Sequence, residues 1–283
     1  MQKPIKVSMH NHSTFSDGTD TLEDMLEYAY GAGLTHYTIS DHSYNTIDND
    51  WNNMTPELYE RYLKEASAMK KRYEGRMDVF ISMEMEYITS LGISTCYADD
   101  LLPKLDYVIG GVHDIGKDGR FMAVDYTRDL FTDGIRDIFD GNVKSAVECY
   151  YETYVEMIKT LKPQQGAHFD LIKKNDLNSE LFNRESQWYT DLVFDCIDVI
   201  STTDTVMEVN TGGVARYSDK CFYSDEKIIK RFREKGIAVT IAADAHSKSM
   251  IDSFYGMAVE RLKVGGYDEI AVPSHDGWKL LGL

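Results

Sequence analysis

The sequence predicts an α/β protein in which short parallel strands alternate with amphipathic helices, and three observations support this prediction. Short apolar runs alternate with longer amphipathic segments along the chain. The runs are apolar at consecutive positions, which is typical of strands buried on both faces of a parallel sheet. Polar residues of the types that bind metals follow the runs, at the carboxyl ends of the predicted strands. Repeated βαβ units are therefore the expected architecture.

Seven strands and the helices between them can be placed by this pattern. The strands are predicted near Ile5–Met9, Thr35–Ser40, Val79–Met83, Tyr107–Val112, Gly166–Phe169, Val206–Asn210 and Ile237–Ala242. The helices are predicted within Thr19–Gly33, where Leu22, Met25, Leu26, Ala29 and Tyr30 have helical spacing, and near Pro56–Tyr73, Tyr97–Pro103, Val143–Leu161, Gln187–Ile200 and Asp225–Lys235. Thr21 or Asp20 would cap the first helix, and Gly31 and Gly33 would end it.

The stretch Asp114–Asn142 contains no clear strand. Loops of this length in compact domains are often functional, so we expect it to overhang the site, with Lys117 and neighbouring side chains reaching the organic part of a substrate. The alternative, to which we give nearly equal weight, is that this stretch is a surface loop with a short helix of its own and no contact with substrate. The segment Tyr44–Thr55, which contains Trp51, could have a comparable role.

Length, charge and cysteine content set the class of protein. The 283 residues contain no linker or low-complexity tract, so residues 1–283 are expected to form a single domain. The net charge of -17 argues against nucleic acid as a partner, although bound divalent cations would still allow a small phosphate ester to bind. The four cysteines form no CxxC pair, and no leader or membrane-length apolar run is visible, which predicts a soluble, cytoplasmic protein. The oligomeric state leaves no signature.

The candidate ligands lie at the carboxyl ends of all seven predicted strands. In chain order they are His10 and His12, Asp41 and His42, Glu84, His113, His168, Glu208 with Asn210, and Asp244 with His246. Carboxyl ends of parallel strands converge on one face of an α/β barrel or sheet, where catalysis usually occurs. Closing the sheet into a barrel would bring the first and seventh strands together, and with them the two ends of the chain.

Spacing and residue type indicate a metal site. His10 and His12 are two residues apart, as are Asp244 and His246, so both members of each pair can point to the same side of a strand. Imidazoles and carboxylates without thiolates suit Zn, Mn or Fe(II). A lone histidine at a strand end is more often structural, but several in ordered positions favour a metal site. Because there are more ligands than one ion can use, two or three ions are expected, with Glu84 as a bridge.

Seven ordered motifs carry a family resemblance. MHNHSTFSDG, TISDH, MEMEY, GGVHDIG, GAHFD, VMEVNTGG and AADAH, from residue 8 to residue 246, resemble in order and interval the polymerase and histidinol phosphatase (PHP) family, and most of all its monofunctional histidinol-phosphate phosphatases. The resemblance implies a distorted (βα)7 TIM-like barrel with a trinuclear centre at the strand carboxyl ends. It also implies hydrolysis of a small phosphomonoester, with L-histidinol phosphate of histidine biosynthesis as the expected substrate.

The resemblance further implies which residues bind each ion. One metal would be held by His10, His12, Glu84 and Asp244, a second by Glu84, His113 and His168, and a third by Asp17, His42 and His246. Many family members have histidine at the position of Asp17, whereas phosphatases of this branch often have aspartate. Glu86 could itself be a ligand, but a role in orienting a histidine is favoured, and the same applies to Asp41, Asp114 and Asp170.

The chemistry expected of such a site is attack on phosphorus by a hydroxide that bridges the ions sharing Glu84, because metal binding lowers the pKa of water from near 15.7 to about 7. A proton for the leaving alkoxide could come from metal-bound water, from Asp41 or from His246. Lys173, Lys174 and Arg216 are candidates for binding phosphate. Related phosphatases tend to carry arginines where this chain has Lys174 and Gly212.

Other contacts and other functions stay open. Glu208, or a carboxylate of the long loop, is a candidate partner for the amino group of histidinol. Gly212 and Gly213 would either cradle a phosphate or form a tight turn. The alternative functions are a PHP phosphoesterase acting on nucleotides or short oligonucleotides, a non-catalytic PHP-type module, and an amidohydrolase barrel. The last usually needs a bridging lysine at a strand end, and the predicted strand ends have none.

Overall fold

The computed structural model describes residues 5–44, 54–88, 101–274 and 276–283, and the backbone of residues 92–93. Trp51 and Cys96 lie outside the described residues, as does most of the helix predicted near Tyr97–Pro103. Within the described part of that segment, a short 3-10 helix covers Leu102–Lys104. None of the described helices combines the length and apolar character that a membrane span requires.

Parallel strands form the centre of the fold. The strands are β1 Val7–Ser8, β2 His36–Ile39, β3 Asp78–Ile81, β4 Glu84–Ile88, β5 Gly92–Ile93, β6 Ile109–Gly111, β7 Asp114–Lys117, β8 Arg120–Ala123, β9 Gln165–Gly166, β10 Val206–Asn210, β11 Val239–Ala242, β12 Glu269–Ser274 and β13 Gly277–Gly282. One parallel sheet has the order β1-β2-β3, and a second has the order β11-β10-β9-β6-β4-β5, in which only β5 is antiparallel to its neighbour. An α/β fold with parallel sheets is therefore confirmed.

Helices connect these strands. They are α1 Leu22–Gly31, α2 Pro56–Tyr73, α3 Arg128–Ile138, α4 Val143–Thr160, α5 Gln187–Ile200, α6 Gly212–Arg216, α7 Glu226–Glu234 and α8 Tyr255–Val264. Thr21 caps α1, since its hydroxyl accepts a hydrogen bond from the backbone N–H of Asp24. The bounds predicted for α2 and α5 are the observed ones.

The two parallel sheets are joined by backbone contacts next to the candidate site. The N–H of Met9 donates to the carbonyl of Ile241 at 3.1 Å, and Asn11 forms an isolated parallel bridge with Ala245. On the other side, His42 forms a parallel bridge with Glu84. The segments that follow β1 and β2 thus contact the six-stranded sheet, and these contacts fix the positions of the ligand-bearing segments.

The stretch Asp114–Asn142 contains more regular secondary structure than the sequence predicted. β7 and β8 form an antiparallel hairpin whose turn residues, Asp118 and Gly119, have φ values of 54° and 75°. Helix α3 follows it, and the apolar side chains of this stretch, including Ile115 and Phe131, belong to the main hydrophobic core. The prediction that this stretch contains no strand is therefore wrong, because a short hairpin was missed. The antiparallel pair β12-β13 near the end of the chain was also missed.

Candidate metal centre

Six histidines and three carboxylates meet at one place, and Glu84 lies at its centre. Oε2 of Glu84 lies 3.0 Å from Nδ1 of His42, 3.1 Å from Nε2 of His10 and 3.5 Å from Nε2 of His12. Oε1 lies 2.9 Å from Nε2 of His168 and 3.5 Å from Nε2 of His113. Glu84 is the first residue of β4 instead of the end of a strand, because pairing is interrupted after Ile81. One carboxylate oxygen of Glu84 thereby contacts His10, His12 and His42, and the other contacts His113 and His168.

Asp17 organises a second part of the cluster. Its carboxylate lies 2.9 Å from Nε2 of His246, 3.6 Å from Nδ1 of His12 and 3.9 Å from Nε2 of His42. One possible ligand atom from each of these four residues lies within 4.8 Å of all the others, a spacing at which they could hold one ion. The structure therefore brings Asp17 together with His42 and His246, the two histidines expected beside it.

The remaining expected ligands complete the groups around Glu84. His10, His12 and Glu84 form one group within 4.8 Å, and His42, Glu84 and His113 form another. Asp244 joins the first group through Oδ1, which lies 3.3 Å from Nε2 of His12. The Nε2 atoms of His10 and His12 are only 3.1 Å apart. Because these nitrogens and carboxylate oxygens converge on small volumes, the donor set suits divalent ions such as Zn, Mn or Fe(II).

Several groups of the cluster have the charge of a metal ligand even without an ion. Burial opposes ionisation of Glu84, but neighbouring imidazoles, chiefly that of His10, outweigh it and hold the pKa of Glu84 well below its usual value. Burial also lowers the pKa of His42 to about 3 and lowers the pKa of His12. The carboxylate of Glu84 is therefore ionised and the rings of His12 and His42 are neutral near pH 7, which are the forms that coordinate metal. At His10 and His113, burial is outweighed by neighbouring carboxylates, which raise the pKa well above its usual value, so a bound metal would displace a proton from these two rings.

Two buried glutamates contact the Nδ1 atoms of His113 and His10, whose Nε2 atoms face Glu84. Oε2 of Glu86 lies 2.5 Å from Nδ1 of His113. Glu208 contacts Nδ1 of His10 at 3.1 Å and accepts a hydrogen bond from the backbone N–H of His168 at 2.8 Å. Carboxylates behind ligating histidines fix the ring orientation and raise ligand basicity. Glu208 is 0% exposed and lies beneath the histidines, so its expected contact with substrate is not what the structure shows.

Asp41 fixes the turn that carries Asp17. Its carboxylate accepts hydrogen bonds from the backbone N–H groups of Ser13 and Ser16, at 2.7 and 3.1 Å, and from both serine hydroxyls. Burial raises the pKa of Asp41 to about 6 in spite of these bonds. The role of the two serines was not predicted from the sequence. Their spacing between His12 and Asp17 was the available signal, because serines are common in tight turns.

Comparison with known proteins places this site in a family. The sequence profile described as the PHP domain matches residues 8–212, most of the chain. The chain belongs to the PHP domain family. It is similar to the histidinol-phosphatase of Bacillus subtilis (strain 168), with 25% identity over 268 residues that cover 89% of this chain and 97% of the relative.

Solved structures show that the PHP fold is shared. A Listeria monocytogenes protein matches with a TM-score of 0.74 and 21% identity, over 89% of this chain and 99% of the other. The histidinol phosphate phosphatase of Lactococcus lactis, crystallised with zinc, L-histidinol and phosphate, matches with a TM-score of 0.64 and 17% identity, over 97% and 98% of the two chains. At these identities, the likeness establishes the fold.

Of the cations predicted to bind phosphate in the PHP site, Arg216 contacts the ligand cluster and Lys174 contacts a neighbouring loop. Nη2 of Arg216 donates to Oδ2 of Asp244 at 2.9 Å, and Nη1 lies 2.8 Å from Nδ1 of His246. Nζ of Lys174 donates to the carbonyl of Asp125 and lies 4.5 Å from the centre of the Tyr217 ring. Arg216 therefore presents a positive charge at the ligand cluster itself, whereas Lys174 is held at a neighbouring loop.

Lys173, the residue next to Lys174, is not available to a phosphate. Its ammonium is completely buried and donates to Oδ2 of Asp170 and Oδ1 of Asp225, both at 2.6 Å, and to the carbonyl of Phe222 at 2.8 Å. Arg184 also pairs with Asp225, at 2.6 Å. The structure does not support the expectation that Lys173 binds phosphate, because its charge is neutralised inside the protein. Its contacts join the segment after His168 to the segment before α7.

Lys117 also lies away from the cluster. It lines a separate cavity of about 590 Å³ together with Gly116, Asp140, Glu148 and Cys149. None of the candidate metal ligands lines this cavity. The hairpin β7-β8 carries Lys117 outward from His113, so the expected contact of Lys117 with substrate is not supported.

The glycines after β10 allow close packing. A Cβ atom on Gly213 would lie 2.3 Å from the carbonyl oxygen of Cys221 and 2.7 Å from Cε2 of Tyr223. A Cβ atom on Gly212 would lie 2.9 Å from the carbonyl oxygen of Ala243. Of the two interpretations of this pair, the tight turn is the one that the structure supports.

Proposed function

We propose that this chain is a metal-dependent histidinol-phosphate phosphatase, which hydrolyses L-histidinol phosphate to L-histidinol and phosphate in histidine biosynthesis. The observation that carries the proposal is the contact of five histidines with the carboxylate of Glu84, in a chain of the PHP family. The similarity to the Bacillus subtilis histidinol-phosphatase over nearly its whole length supports this substrate class. The Lactococcus lactis structure, in complex with zinc, L-histidinol and phosphate, is consistent with it.

We propose that two or three divalent ions bind to this cluster. His10, His12, Glu84 and Asp244 would hold one, and Glu84, His113 and His168 a second; Asp17, His42 and His246 would hold the third, with His12 close by. Bound ions would supply an activated water as nucleophile and neutralise charge on the phosphoryl oxygens. The buried glutamates Glu86 and Glu208 would keep the rings in the ligating orientation.

Arg216 and His246 are the side chains that we propose to act on the phosphate ester. The guanidinium of Arg216 has a fork of donors that suits phosphoryl oxygens, and it already lies at the cluster. When only the two ions around Glu84 are bound, His246 is a better proton source for the leaving alkoxide than Asp41, since Nε2 of His246 then carries no metal and can hold a proton. The side chain of His246 is 21% exposed, whereas Asp41 is fully buried and its carboxylate is bonded to Ser13 and Ser16.

We also propose that residues 1–283 form one PHP-type domain whose sheets close into a distorted (βα)7 barrel. The bridges Asn11–Ala245 and His42–Glu84 support closure, because they link the segments after β1 and β2 to the segment after β11 and to β4 of the six-stranded sheet. Residues after 212, beyond the family match, provide β11, which pairs with β10 and carries Asp244 and His246 beyond its carboxyl end.

The test is release of inorganic phosphate by purified protein supplied with Zn or Mn. We expect kcat/KM for L-histidinol phosphate to exceed the values for nucleoside monophosphates and short oligonucleotides by at least about a hundredfold. A preference for nucleotides would assign the site to a PHP phosphoesterase of another substrate class. No hydrolysis of any phosphomonoester by metal-loaded protein would favour a non-catalytic PHP-type module.

A further inference from the structure

Tyr223 lies next to the cluster but has no assigned role in it. We propose that its hydroxyl donates a hydrogen bond to a phosphoryl oxygen of the bound ester, beside Arg216. This inference rests on the proposed function, since it adds a contact to the same phosphate site. Tyr223 would then be a substrate-binding residue that the sequence motifs did not single out.

The Tyr223 ring is held in place from several sides. Its centre lies 6.4 Å from the centre of the His168 ring in an edge-to-face arrangement, and the ammonium of Lys173 lies 5.5 Å from it. The absence of a Cβ atom on Gly213 allows the ring to lie close to the turn after β10. The backbone N–H of Tyr223 donates to the carbonyl of Asn210 at 3.1 Å. A side chain fixed in this way loses little conformational entropy when it binds a ligand.

The Tyr223 hydroxyl differs from the other tyrosine hydroxyls beside the same segment. Tyr150 donates to the carbonyl of Phe169 at 3.2 Å, and Tyr154 donates to the carbonyl of Ala167 at 2.8 Å. Tyr223 is only 1% exposed, yet within the described part of the chain its hydroxyl forms no hydrogen bond. Buried tyrosine hydroxyls usually have a partner. The structure thus leaves one fixed donor available to a ligand.

The position of the ring indicates a phosphoryl oxygen as that partner, because Tyr223 lies against the His168 ring and against Gly213, at the start of the short helix that carries Arg216. Burial, the largest effect, raises the pKa of Tyr223 well above its usual value, so the hydroxyl stays protonated. Cys221, Asp125 and Asp170 add to this effect on the pKa of Tyr223, and the guanidinium of Arg216 opposes it. A neutral donor beside the Arg216 guanidinium suits an anionic oxygen, to which both can donate.

The test compares Tyr223→Phe with Tyr150→Phe, which also removes a hydroxyl from a buried ring beside the His168 segment. Each metal-loaded protein is assayed for binding of inorganic phosphate by calorimetry, for kcat/KM, for metal content and for Tm. We expect Y223F to weaken phosphate binding and to lower kcat/KM by about tenfold to a hundredfold, since a hydrogen bond to a charged group is lost. Its metal content should equal that of the wild type. Y150F should lower only Tm.

Several results would overturn the inference. These are phosphate affinity and kcat/KM of Y223F within twofold of wild type, an equal loss of phosphate affinity in Y150F, or loss of metal from Y223F, which would indicate a structural role. Wild-type protein that binds no phosphate when metal-loaded would also overturn it. If the wild-type protein binds phosphate but does not hydrolyse L-histidinol phosphate, the proposed substrate is wrong. The role of Tyr223 can still be tested in that case, because binding of inorganic phosphate does not depend on the alcohol part of the ester.

Discussion

Oε2 of Glu84 lies 3.1 Å from Nε2 of His10, so the start of β4 and the segment after β1 meet at a single carboxylate. The same oxygen contacts His42, and the other oxygen contacts His168. Glu84 is only 1% exposed, and its charge is offset by the surrounding rings. A buried carboxylate with this many imidazole neighbours can bridge two ions, which is the role that the sequence assigned to it.

Replacing Glu84 with glutamine should therefore disrupt more than one ion. We expect Glu84→Gln to lose at least one metal ion per chain. We also expect it to lower kcat by more than the roughly 10–100-fold that is typical when a residue hydrogen-bonded to a metal ligand is replaced. Metal analysis and kcat measurements check this. Glu74→Gln, at an exposed position after α2, is the control. Unchanged metal content in E84Q would contradict the bridging role.

Glu208→Gln should act through the histidines. The substitution keeps the shape of the side chain but removes the charge beside His10, so we expect metal affinity or activity to fall by about 10–100-fold. Glu86→Gln, behind His113, should behave in the same way. Titration of metal into stripped protein measures the effect. If E208Q raised KM for the ester and left metal affinity unchanged, Glu208 would instead contact the substrate.

Lys173→Met should destabilise the protein. It removes one partner from a buried ion network and leaves Asp170 and Asp225 without their ammonium, which typically costs about 3–5 kcal/mol. Urea unfolding measures the change in the free energy of unfolding. Lys230→Met, which breaks an exposed pair with Glu226 on α7, should leave stability nearly unchanged. If K173M were as stable as wild type but bound phosphate poorly, the phosphate role first expected of Lys173 would be restored.

Removing the metals should lower thermal stability. Ions that bind only the folded chain stabilise it by mass action, by about 2.7 kcal/mol at a hundredfold excess over Kd, which corresponds to roughly 5 °C or more in Tm for a domain of this size. Dialysis against a chelator followed by thermal unfolding tests this. Readdition of Zn or Mn should restore Tm. A Tm that is the same with and without chelator would argue against metal binding at the cluster.

Local sequence signals predicted much of the fold. The bounds of α2 and α5 follow from Thr55-Pro56 at the start of one and Ser186 at the start of the other. The hairpin β7-β8 was missed although Asp118-Gly119 is a strong turn signal, because its strands are short and lack clear alternation. The place where β3 ends and β4 begins depends on which sheet each strand pairs with, and this is set by tertiary packing.

Residue type and order predicted the ligands of the site, but not the direction of every side chain. Lys173 and Lys174 are adjacent in sequence, yet one is buried among carboxylates and the other lies beside Tyr217. Glu208 lies at the expected strand, but its carboxylate supports His10 instead of facing a substrate. These differences arise from contacts between segments far apart in the chain, and a single sequence gives little information about such contacts.

The most direct test of a multinuclear centre is the number of metal ions bound per chain, measured by elemental analysis of protein purified without chelators. The three groups around Glu84 and Asp17 predict two or three ions of Zn, Mn or Fe per chain. Fewer than two ions per chain, in protein that is folded and active, would contradict it.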